Sequence, residues 1–312
     1  MTVRLGTSAD YTQIVQVSNL AMPEYSLTIE QLMSREQTLD PKCKLGYFVA
    51  EVNEQIIGFA RYTQWIDVYH PQVFWITVQV HPDHQQQGIG TDLYDALSDV
   101  LAPFEPITFK SSLYEGNIGA SIASQKQGFQ EYSRRIESLC YLSTFDAEPY
   151  QTLIDKLRSE EIRLIPMSDL VSDDEKVWDI YQLQWSLELD VPMEETLTQP
   201  SVEQWRKSVI DSPMFIGEAS FIAMQGDDYM GLTEVFKYGQ DYLYIEFTGT
   251  RPKYRRRGIA TAMKVLGMQW AKDNGFQSIG TTNDAVNTGM IAINQKLGFT
   301  AKPARLQIEK SF

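Results

Sequence analysis

The stretch "TGTRPKYRRRGIATAM", residues 248–263, carries three consecutive arginines directly before a Gly-Ile-Ala and a predicted helix. A helix N-terminus already presents unpaired N–H groups and the positive end of the helix dipole. Further cations at that end are unfavourable for an isolated helix unless an anion occupies the site. A solvated arginine face without a ligand is the alternative. The stretch therefore predicts an anion-binding loop between a strand and a helix.

The same pattern occurs earlier in the chain, as "VQVHPDHQQQGIGTDL" at 78–93. A second pair of blocks, "NIGASIASQKQGF" at 117–129 and "NTGMIAINQKLGF" at 287–299, is separated by the same offset of 170 residues. The two pairs of blocks contain ten identities at this one offset, with no insertion between them. Such regularity indicates a tandem duplication.

Both copies have the same predicted order of elements. A strand, two helices, a hairpin and a fourth strand precede the loop, and a helix, a fifth strand, a further helix and closing strands follow it. The ranges predicted before the loop are 2–5, 10–20, 28–37, 46–62 and 72–80 in the first copy, and 162–166, 175–189, 201–211, 221–236 and 241–250 in the second. The sequence predicts one unit at 1–145, a helical linker at 146–160 and a second unit at 161–312.

Composition indicates a globular protein. The 312 residues suit two domains of ~150 residues each, and 43% of them are hydrophobic. No apolar run approaches the ~20 residues of a membrane span, and the first residues lack the apolar core of a signal peptide. Cys43 and Cys140 fit no metal spacing, so both are interpreted as reduced thiols. We therefore expect a cytoplasmic protein without a metal site.

Charge argues against nucleic acid as the expected anion. The net charge is −14, with 9 basic and 18 acidic side chains in residues 1–150 and 18 basic and 23 acidic ones in the rest. Nucleic-acid binding needs a basic surface that neutralises several phosphates. The arginine cluster is thus a local feature, and we expect neither nucleic acid nor a membrane as a partner.

The loop spacing excludes two common phosphate motifs, because it contains neither Gly-x-Gly-x-x-Gly nor Gly-Lys-Ser/Thr. What remains is Gln85-x-x-Gly88-x-Gly90 in the first copy and Arg255-x-x-Gly258-x-Ala260 in the second. Both halves resemble the GNAT superfamily of acyl-CoA-dependent N-acyltransferases, whose pyrophosphate loop reads Gln/Arg-x-x-Gly-x-Gly/Ala. The tandem arrangement is similar to that of the mycothiol synthases.

This resemblance implies an α+β fold for each unit, with a mixed, mostly antiparallel sheet splayed between strands 4 and 5 and flanked by helices. In the family the pantetheine arm of CoA lies in that gap, so acetyl-CoA is the implied cofactor. The matching residues of the second unit are Thr248, Gly249, Thr250, Arg255, Arg256, Arg257, Gly258, Ile259, Ala260, Thr261 and Asn287. Those of the first unit are Val78, Val80, Gln85, Gln87, Gly88, Gly90 and Asn117.

The two loops differ in charge. Residues 251–264 contain six cations and no acid, whereas 81–94 contain two acids, no lysine or arginine, and glutamines at the positions of the three arginines. Each charge-assisted contact to a phosphate contributes ~1.5–3 kcal/mol. We therefore expect the second unit to bind CoA more tightly than the first.

The catalytic residues are predicted from the second copy. An amine must lose its proton before it attacks a thioester, and in the family a carboxylate on strand 4 often accepts it. Glu246 precedes Thr250 by four residues, so we expect both on one strand face, and the first copy has Ile76 at the matching position. A salt-bridged strand residue is the alternative for Glu246. Many family members protonate the leaving thiolate with a tyrosine, whose position holds Asn294 here; asparagine can only donate a hydrogen bond, which leaves water as another proton source.

The acceptor is predicted to be a small amine. Residues 187–200 match the segment that forms the acceptor wall in the family, where Asp190 and Glu194 favour a cationic amine, with a solvated acidic loop as the alternative. Tyr244 is expected in the pocket wall. The resulting prediction is an acetyl-CoA-dependent N-acyltransferase active in the second unit, with a degenerate first unit. The alternative is an acyl-CoA-binding sensor without turnover.

Overall fold

The computed structural model describes residues 1–23, 27–37, 39–191 and 197–312. Within these ranges the strands form one sheet. They are β1 (Thr2–Leu5), β2 (Leu45–Val52), β3 (Gln55–Thr63), β4 (Val73–Val80), β5 (Thr108–Tyr114), β6 (Gln130–Tyr141), β7 (Arg163–Pro166), β8 (Phe221–Gln225), β9 (Asp228–Lys237), β10 (Tyr242–Thr250), β11 (Ser278–Asp284), β12 (Thr300–Ala301) and β13 (Arg305–Ser311). The α-helices are α1 (Tyr11–Ala21), α2 (Ile29–Gln37), α3 (Ile89–Leu101), α4 (Ile118–Lys126), α5 (Gln151–Ser159), α6 (Asp174–Glu188), α7 (Val202–Ser208), α8 (Ile259–Asp273) and α9 (Thr288–Lys296).

The predicted elements are present in the predicted order, and α5 lies in the connection between the copies. Among the ranges predicted before the two loops, the largest error at an element end concerns α7, which ends at Ser208 rather than at residue 211. Pro213 follows shortly after, and a proline disfavours helical backbone in the residue before it. None of the helices in the described ranges combines the length and the apolar character that a bilayer crossing requires.

The strand order is β1-β2-β3-β4-β5-β13-β6-β11-β10-β9-β8-β7, with β12 paired to β6. The closing strands are therefore exchanged between the copies. β6, from the first copy, pairs with β11, β12 and β13 of the second copy. β13, from the second copy, pairs with β5 and β6 of the first. The fold is α+β as predicted, but the two copies share one sheet. The limits 1–145 and 161–312 remain a prediction of where each repeated unit begins and ends.

Both copies have the predicted gap between their fourth and fifth strands. β4 and β5 pair in parallel only as far as Trp75, although β4 continues to Val80. β10 and β11 pair only as far as Ile245, although β10 continues to Thr250. Where pairing stops, the strand edge keeps backbone N–H and C=O groups that an extended ligand can bind.

Helices cover both faces of the sheet near its two ends. In the first copy, Phe48 lies in the α3 core and the adjacent Tyr47 in the α1 core. In the second, Phe221 lies in the α8 core and the adjacent Ile222 in the α6 core. This alternation is expected for strands that are buried on both faces. The central strands β6, β10, β11 and β13 line an open cavity. A residue of α2 and a residue just after α6 also contribute to its wall.

Candidate active site

The cavity has a volume of about 1370 Å³ and reaches into the gap between β10 and β11. Its lining comes from both copies, because β6 and α2 of the first contribute together with β10, β11 and β13 of the second. Four predicted site residues lie in this lining: Tyr244, Glu246, Thr248 and Asn287. The gap of the first copy holds a pocket of only about 50 Å³, with Ile76 in its lining. The size difference favours chemistry in the second copy.

Glu246 lies at a β-bulge that follows Ile245. The Tyr238 hydroxyl donates a hydrogen bond to its carboxylate, and the side chain keeps access to water through the cavity. Enclosure by protein raises the pKa of Glu246, and the hydrogen bond from Tyr238 opposes this rise. No cation of the described ranges forms an ion pair with it, so the salt-bridge alternative is not supported. A carboxylate with a raised pKa is a better proton acceptor.

The bulge changes which residues of β10 share a face. Tyr244 lies opposite Phe236, and Thr248 lies opposite Thr233, so the five residues 244–248 of β10 match only the four residues 233–236 of β9. One extra residue reverses the alternation beyond the bulge. Thr248 and Thr250 therefore face away from Tyr244, and Glu246, which contacts Tyr238, lies on the Tyr244 side. The expectation that Glu246 and Thr250 share a face is wrong.

Glu234 is a second carboxyl of this region, and the sequence analysis missed it. It lies on β9 opposite Phe247 in register, is only 2% exposed, and has no partner for Oε1 among the described residues. Burial, with smaller contributions from Glu188 and Glu246, raises the pKa of Glu234 well above its ordinary value. The available signal was a single acid within the apolar run "YMGLTEVF", residues 229–236.

Lys264, in the middle of α8, was also missed. It is 1% exposed and lines the cavity. Its Nζ donates to Oδ1 of Asn294 at 2.5 Å and lies 5.6 Å from the ring centroid of Phe299. Burial lowers the pKa of Lys264 to about 7. The available signal was one lysine within the apolar helix segment 262–268.

Asn294, the predicted donor to the leaving sulfur, is 2% exposed and lies outside the cavity lining. Its Oδ1 accepts from Lys264, and its Nδ2 donates to Oδ1 of Asn283 at 2.6 Å. A direct hydrogen bond from Asn294 to the sulfur stays a prediction that this placement does not support. The side-chain amide of Asn294 instead fixes the position of the Lys264 amine through this hydrogen bond.

The two glycine loops have the same backbone conformation. Gln86 and Arg256 have φ values of 61° and 63°, and Gly88 and Gly258 both have 86°. In the second loop, the backbone N–H groups of residues 256–260 donate to no acceptor in the described part of the chain. Left-handed residues before a helix N-terminus direct successive N–H groups toward one anion. The loop therefore fits the pyrophosphate of a CoA molecule.

Most of the charge of the second loop is balanced within the chain. Arg255 pairs with Asp190 at 3.0 Å, and Arg257 pairs with Glu160 at 2.6 Å. Arg256 is exposed and pairs with none of the acids that the structure describes. The expectation that these arginines need an external anion is therefore wrong for Arg255 and Arg257, and Arg256 is the arginine to which it still applies.

The residues predicted for the acceptor wall are placed differently from one another. Asp190 follows α6, is held by Arg255 and lies outside the cavity lining, so its predicted acceptor role is not supported. Glu194 lies outside the described residues. Tyr244 lines the cavity and donates to Oγ1 of Thr282 at 2.5 Å, while burial raises the pKa of its hydroxyl.

Several predicted cofactor residues have local structural roles. Asn117 and Asn287 cap α4 and α9, accepting backbone N–H groups at 3.0 and 3.2 Å. In the first loop, the Gln85 and Gln87 side chains donate to the backbone carbonyls of Val80 and Asp83 at 3.2 and 3.4 Å. Of the two capping asparagines, Asn287 also lines the large cavity.

Comparison with known proteins gives matches over both copies. The model of the Acetyltransferase (GNAT) family matches residues 14–107 and 174–299. The mycothiol acetyltransferase of Corynebacterium glutamicum (strain R) is 21% identical over 272 residues, which is 87% of this chain and 84% of the relative.

Solved structures with the same fold span nearly the whole chain. A tandem GNAT protein from the clavulanic acid biosynthesis pathway has a TM-score of 0.76 at 14% identity. The match covers 99% of this chain and 98% of the clavulanic acid pathway protein. A GCN5-related N-acetyltransferase from Sphaerobacter thermophilus has a TM-score of 0.72 at 15% identity, covering 99% and 95%.

Each range that the family model matches contains one of the two glycine loops. The family uses acyl-CoA, which agrees with the fit of the second loop to a pyrophosphate. With the fold, the duplicated loop and the family match together, the chain belongs to the GNAT family of N-acetyltransferases, as a tandem protein with two consecutive units.

Proposed function

We propose that the protein transfers an acetyl group from acetyl-CoA to a small amine, in the cavity of the second copy. The observation that carries this proposal is the position of Glu246, a carboxylate with a raised pKa that opens into the 1370 Å³ cavity at the β10–β11 gap. The first copy has Ile76 at the matching position and a pocket of about 50 Å³. Its role is to supply β6 and α2 to the cavity wall.

The second loop and β10 are the proposed cofactor site. Acetyl-CoA supplies the activated thioester carbonyl that the amine attacks. The N–H groups of residues 256–260 and the side chain of Arg256 would hold the pyrophosphate, because both are without partners among the described residues. The edge of β10 beyond Ile245 is unpaired on its β11 side and would hold the pantetheine amides.

Glu246 is the proposed base. Its carboxylate accepts the proton that the ammonium form of the acceptor must lose, and the hydrogen bond from Tyr238 orients that carboxylate. Tyr242 and Tyr244 line the cavity beside it and would form a wall against the acceptor. Enclosure raises the pKa of Glu246 toward the working pH, which strengthens the base.

Lys264 is the proposed proton source for the departing sulfur. Lys264 lines the cavity, and Asn294 fixes the position of its Nζ through a 2.5 Å hydrogen bond. With a pKa of about 7, its protonated and neutral forms are both populated near neutral pH, which suits an acid that gives up a proton once per turnover.

The function is tested by following thiol release from acetyl-CoA with a panel of amines that includes amino acids, amino sugars, polyamines and aryl amines. We expect release that depends on one class of amine, with the acetylated amine as the product. Thermal stabilisation by CoA without thiol release from any amine would instead support the alternative, an acyl-CoA-binding sensor.

We also propose a cytoplasmic location. Cys43 and Cys140 are both buried, and no disulfide joins them, which is typical of a reducing compartment. The net charge of −14 supports a small-molecule acceptor over nucleic acid. Fractionation of cells that express the tagged full chain tests the location.

A further inference from the structure

Three side chains with N–H donors meet where the exchanged strands lie side by side. Arg135 on β6 and Arg305 on β13 are directly opposite in register, and Gln307 lies two residues further along the same face of β13. All three line the wall shared by the large cavity and the small pocket of the first copy. They come from different copies, so the cluster exists only in the assembled tandem.

Several donors of this cluster lack acceptors among the described residues. Gln307 is 1% exposed, and its Nε2 is buried without a partner among the described residues. The Nε of Arg305 is likewise buried and unpartnered there, and its Nη1 lies 3.8 Å from Glu137. Arg135 makes no hydrogen bond or ion pair with any residue of the described ranges. Buried donors are normally satisfied, so a cluster of unsatisfied ones indicates a missing acceptor.

The acids nearby are already engaged. Glu137, besides its contact with Arg305, accepts the Tyr114 hydroxyl at 3.3 Å. Asp284 lies opposite Arg135 in register but accepts the Ser133 hydroxyl at 2.6 Å and the Val286 N–H at 3.0 Å. Neither acid forms an ion pair with Arg135 in the described structure, so its guanidinium keeps donors for a ligand at the cavity wall.

We propose that Arg135, Arg305 and Gln307 form a subsite for an anionic group on the acceptor, a carboxylate or a phosphate. Guanidinium and amide N–H groups on one face bind such oxygens through charge-assisted hydrogen bonds. The subsite rests on the proposed function, because it lines the same cavity as Glu246. An acceptor with an amine at one end and an anion at the other is held between the two.

Matched acceptor pairs test the subsite. The carboxylate pairs are glycine, β-alanine and 4-aminobutyrate, each with its primary amide, and the phosphate pair is glucosamine 6-phosphate with glucosamine. Values of kcat/KM are corrected for the neutral fraction of each amine. The wild-type protein is expected to prefer the anionic member of at least one pair by ~10- to 100-fold, mainly through KM. Whether a carboxylate or the phosphate pair shows the preference identifies the anion.

The variants are Arg135→Gln and Gln307→Leu. Both are expected to lose most of the preference while the rate with the neutral member stays within about twofold. Arg134→Gln is the matched control, because Arg134 also lines the cavity but is already bound by Glu115 and Glu131. It is expected to keep the preference. Melting curves identify any variant that fails to fold, and the other variant then carries the test.

Equal rates for both members of every pair in the wild-type protein would overturn the subsite and leave acetyl transfer intact. A preference that both variants retain would also overturn it. If no amine gives thiol release, the proposed function fails instead, and calorimetry with acetate and inorganic phosphate tests the subsite alone. Binding that Arg135→Gln abolishes would then support the subsite, and equal or absent binding would overturn it.

Discussion

Glu246 and Glu234 are neighbouring carboxyls that differ in their access to water. Glu246 opens into the cavity and is held by Tyr238, whereas Glu234 lies behind it, 2% exposed and without a partner for Oε1 in the described structure. Burial, with smaller contributions from Glu188 and Glu246, raises the pKa of Glu234 well above its ordinary value. Protonation is therefore favoured more strongly at the buried Glu234 than at Glu246, which is the carboxyl that faces the cavity.

The first prediction concerns Glu246→Gln, which keeps the size and hydrogen-bonding capacity of the side chain but removes the proton acceptor. We expect kcat to fall by ~10²–10⁴-fold at neutral pH, with CoA affinity unchanged. The loss should narrow at high pH, where more of the amine is already neutral. Steady-state rates across pH 6–9.5, with calorimetry for CoA, measure both effects.

Glu309→Gln is the control for this variant, because Glu309 lies on β13 outside the cavity lining and is expected to keep the wild-type rate. Turnover of Glu246→Gln within a factor of two of the wild-type protein would exclude this carboxylate as the base.

The second prediction uses the pH dependence of stability at Lys264. Burial lowers the pKa of Lys264 to about 7, so between pH ~7 and ~10.4 the unfolded chain binds more protons there than the folded one. The contribution of Lys264 to stability therefore rises with pH across this window and is least favourable below pH 7. Lys264→Met should raise the free energy of unfolding at pH 6 by roughly 2–5 kcal/mol, and the gain should shrink toward pH 10.

Acetyl transfer by Lys264→Met should fall by ~10²-fold or more, because the proposed proton source is lost. Denaturant unfolding at several pH values and thiol release measure the two effects. Lys296→Met, at an exposed position of α9, is the control and should change neither. A wild-type rate in Lys264→Met would remove the proposed acid, and a stability gain independent of pH would contradict its lowered pKa.

Sequence reasoning found Glu246 but missed Glu234 and Lys264, and the reason is physical. A comparison of the copies identifies Glu246 because Ile76 replaces it. A single charged residue in an apolar run is ordinarily interpreted as a surface position, since burial of a charge is costly. Whether that cost is accepted depends on packing around the side chain, which only the folded chain defines.

At the scale of elements, the glycine loops were predictable because glycine spacing encodes backbone conformation directly. Both copies adopt the same left-handed positions although their side chains differ in charge. The acids that neutralise Arg255 and Arg257 were not predictable, because Asp190 and Glu160 lie far away in sequence, at the ends of α6 and α5. Contacts between elements decide which loop cation remains available to a ligand.

The third prediction separates two neighbouring arginines. Arg256→Gln should weaken CoA binding by ~10- to 100-fold without changing the melting temperature, because Arg256 makes no ion pair with the described residues and Gln86 adopts the same φ in the first loop. Arg257→Gln removes the ion-pair partner of Glu160, so it should also lower the melting temperature slightly, as expected for a solvent-exposed pair. Calorimetry with CoA and thermal melting measure both; unchanged affinity in Arg256→Gln would contradict its role.

The whole molecule is organised by the exchange of β6 and β13, which the repeat did not reveal. Hydrophobic alternation and the constant offset identify the strands of each copy. They do not show which copy's closing strand pairs with a given strand edge, because β6 and β13 have equivalent positions in the repeat. The exchange also explains why the cavity has two sources of residues, since β6 carries residues of the first copy into the wall of the second.

The last prediction follows from this shared sheet. Residues 1–145 alone would lack β13, which pairs with both β5 and β6, and residues 146–312 alone would lack β6, which pairs with β11 and β13. Each half would expose long strand edges, which favour aggregation over folding. We expect each half to be unfolded or aggregated when expressed alone, and co-expression to restore a one-to-one complex with acetyl transfer.

The intact chain should unfold in one calorimetric transition, because neither half completes its sheet alone. Two separate transitions, or a folded and active 146–312 fragment, would show that the second unit is independent of the strand it borrows.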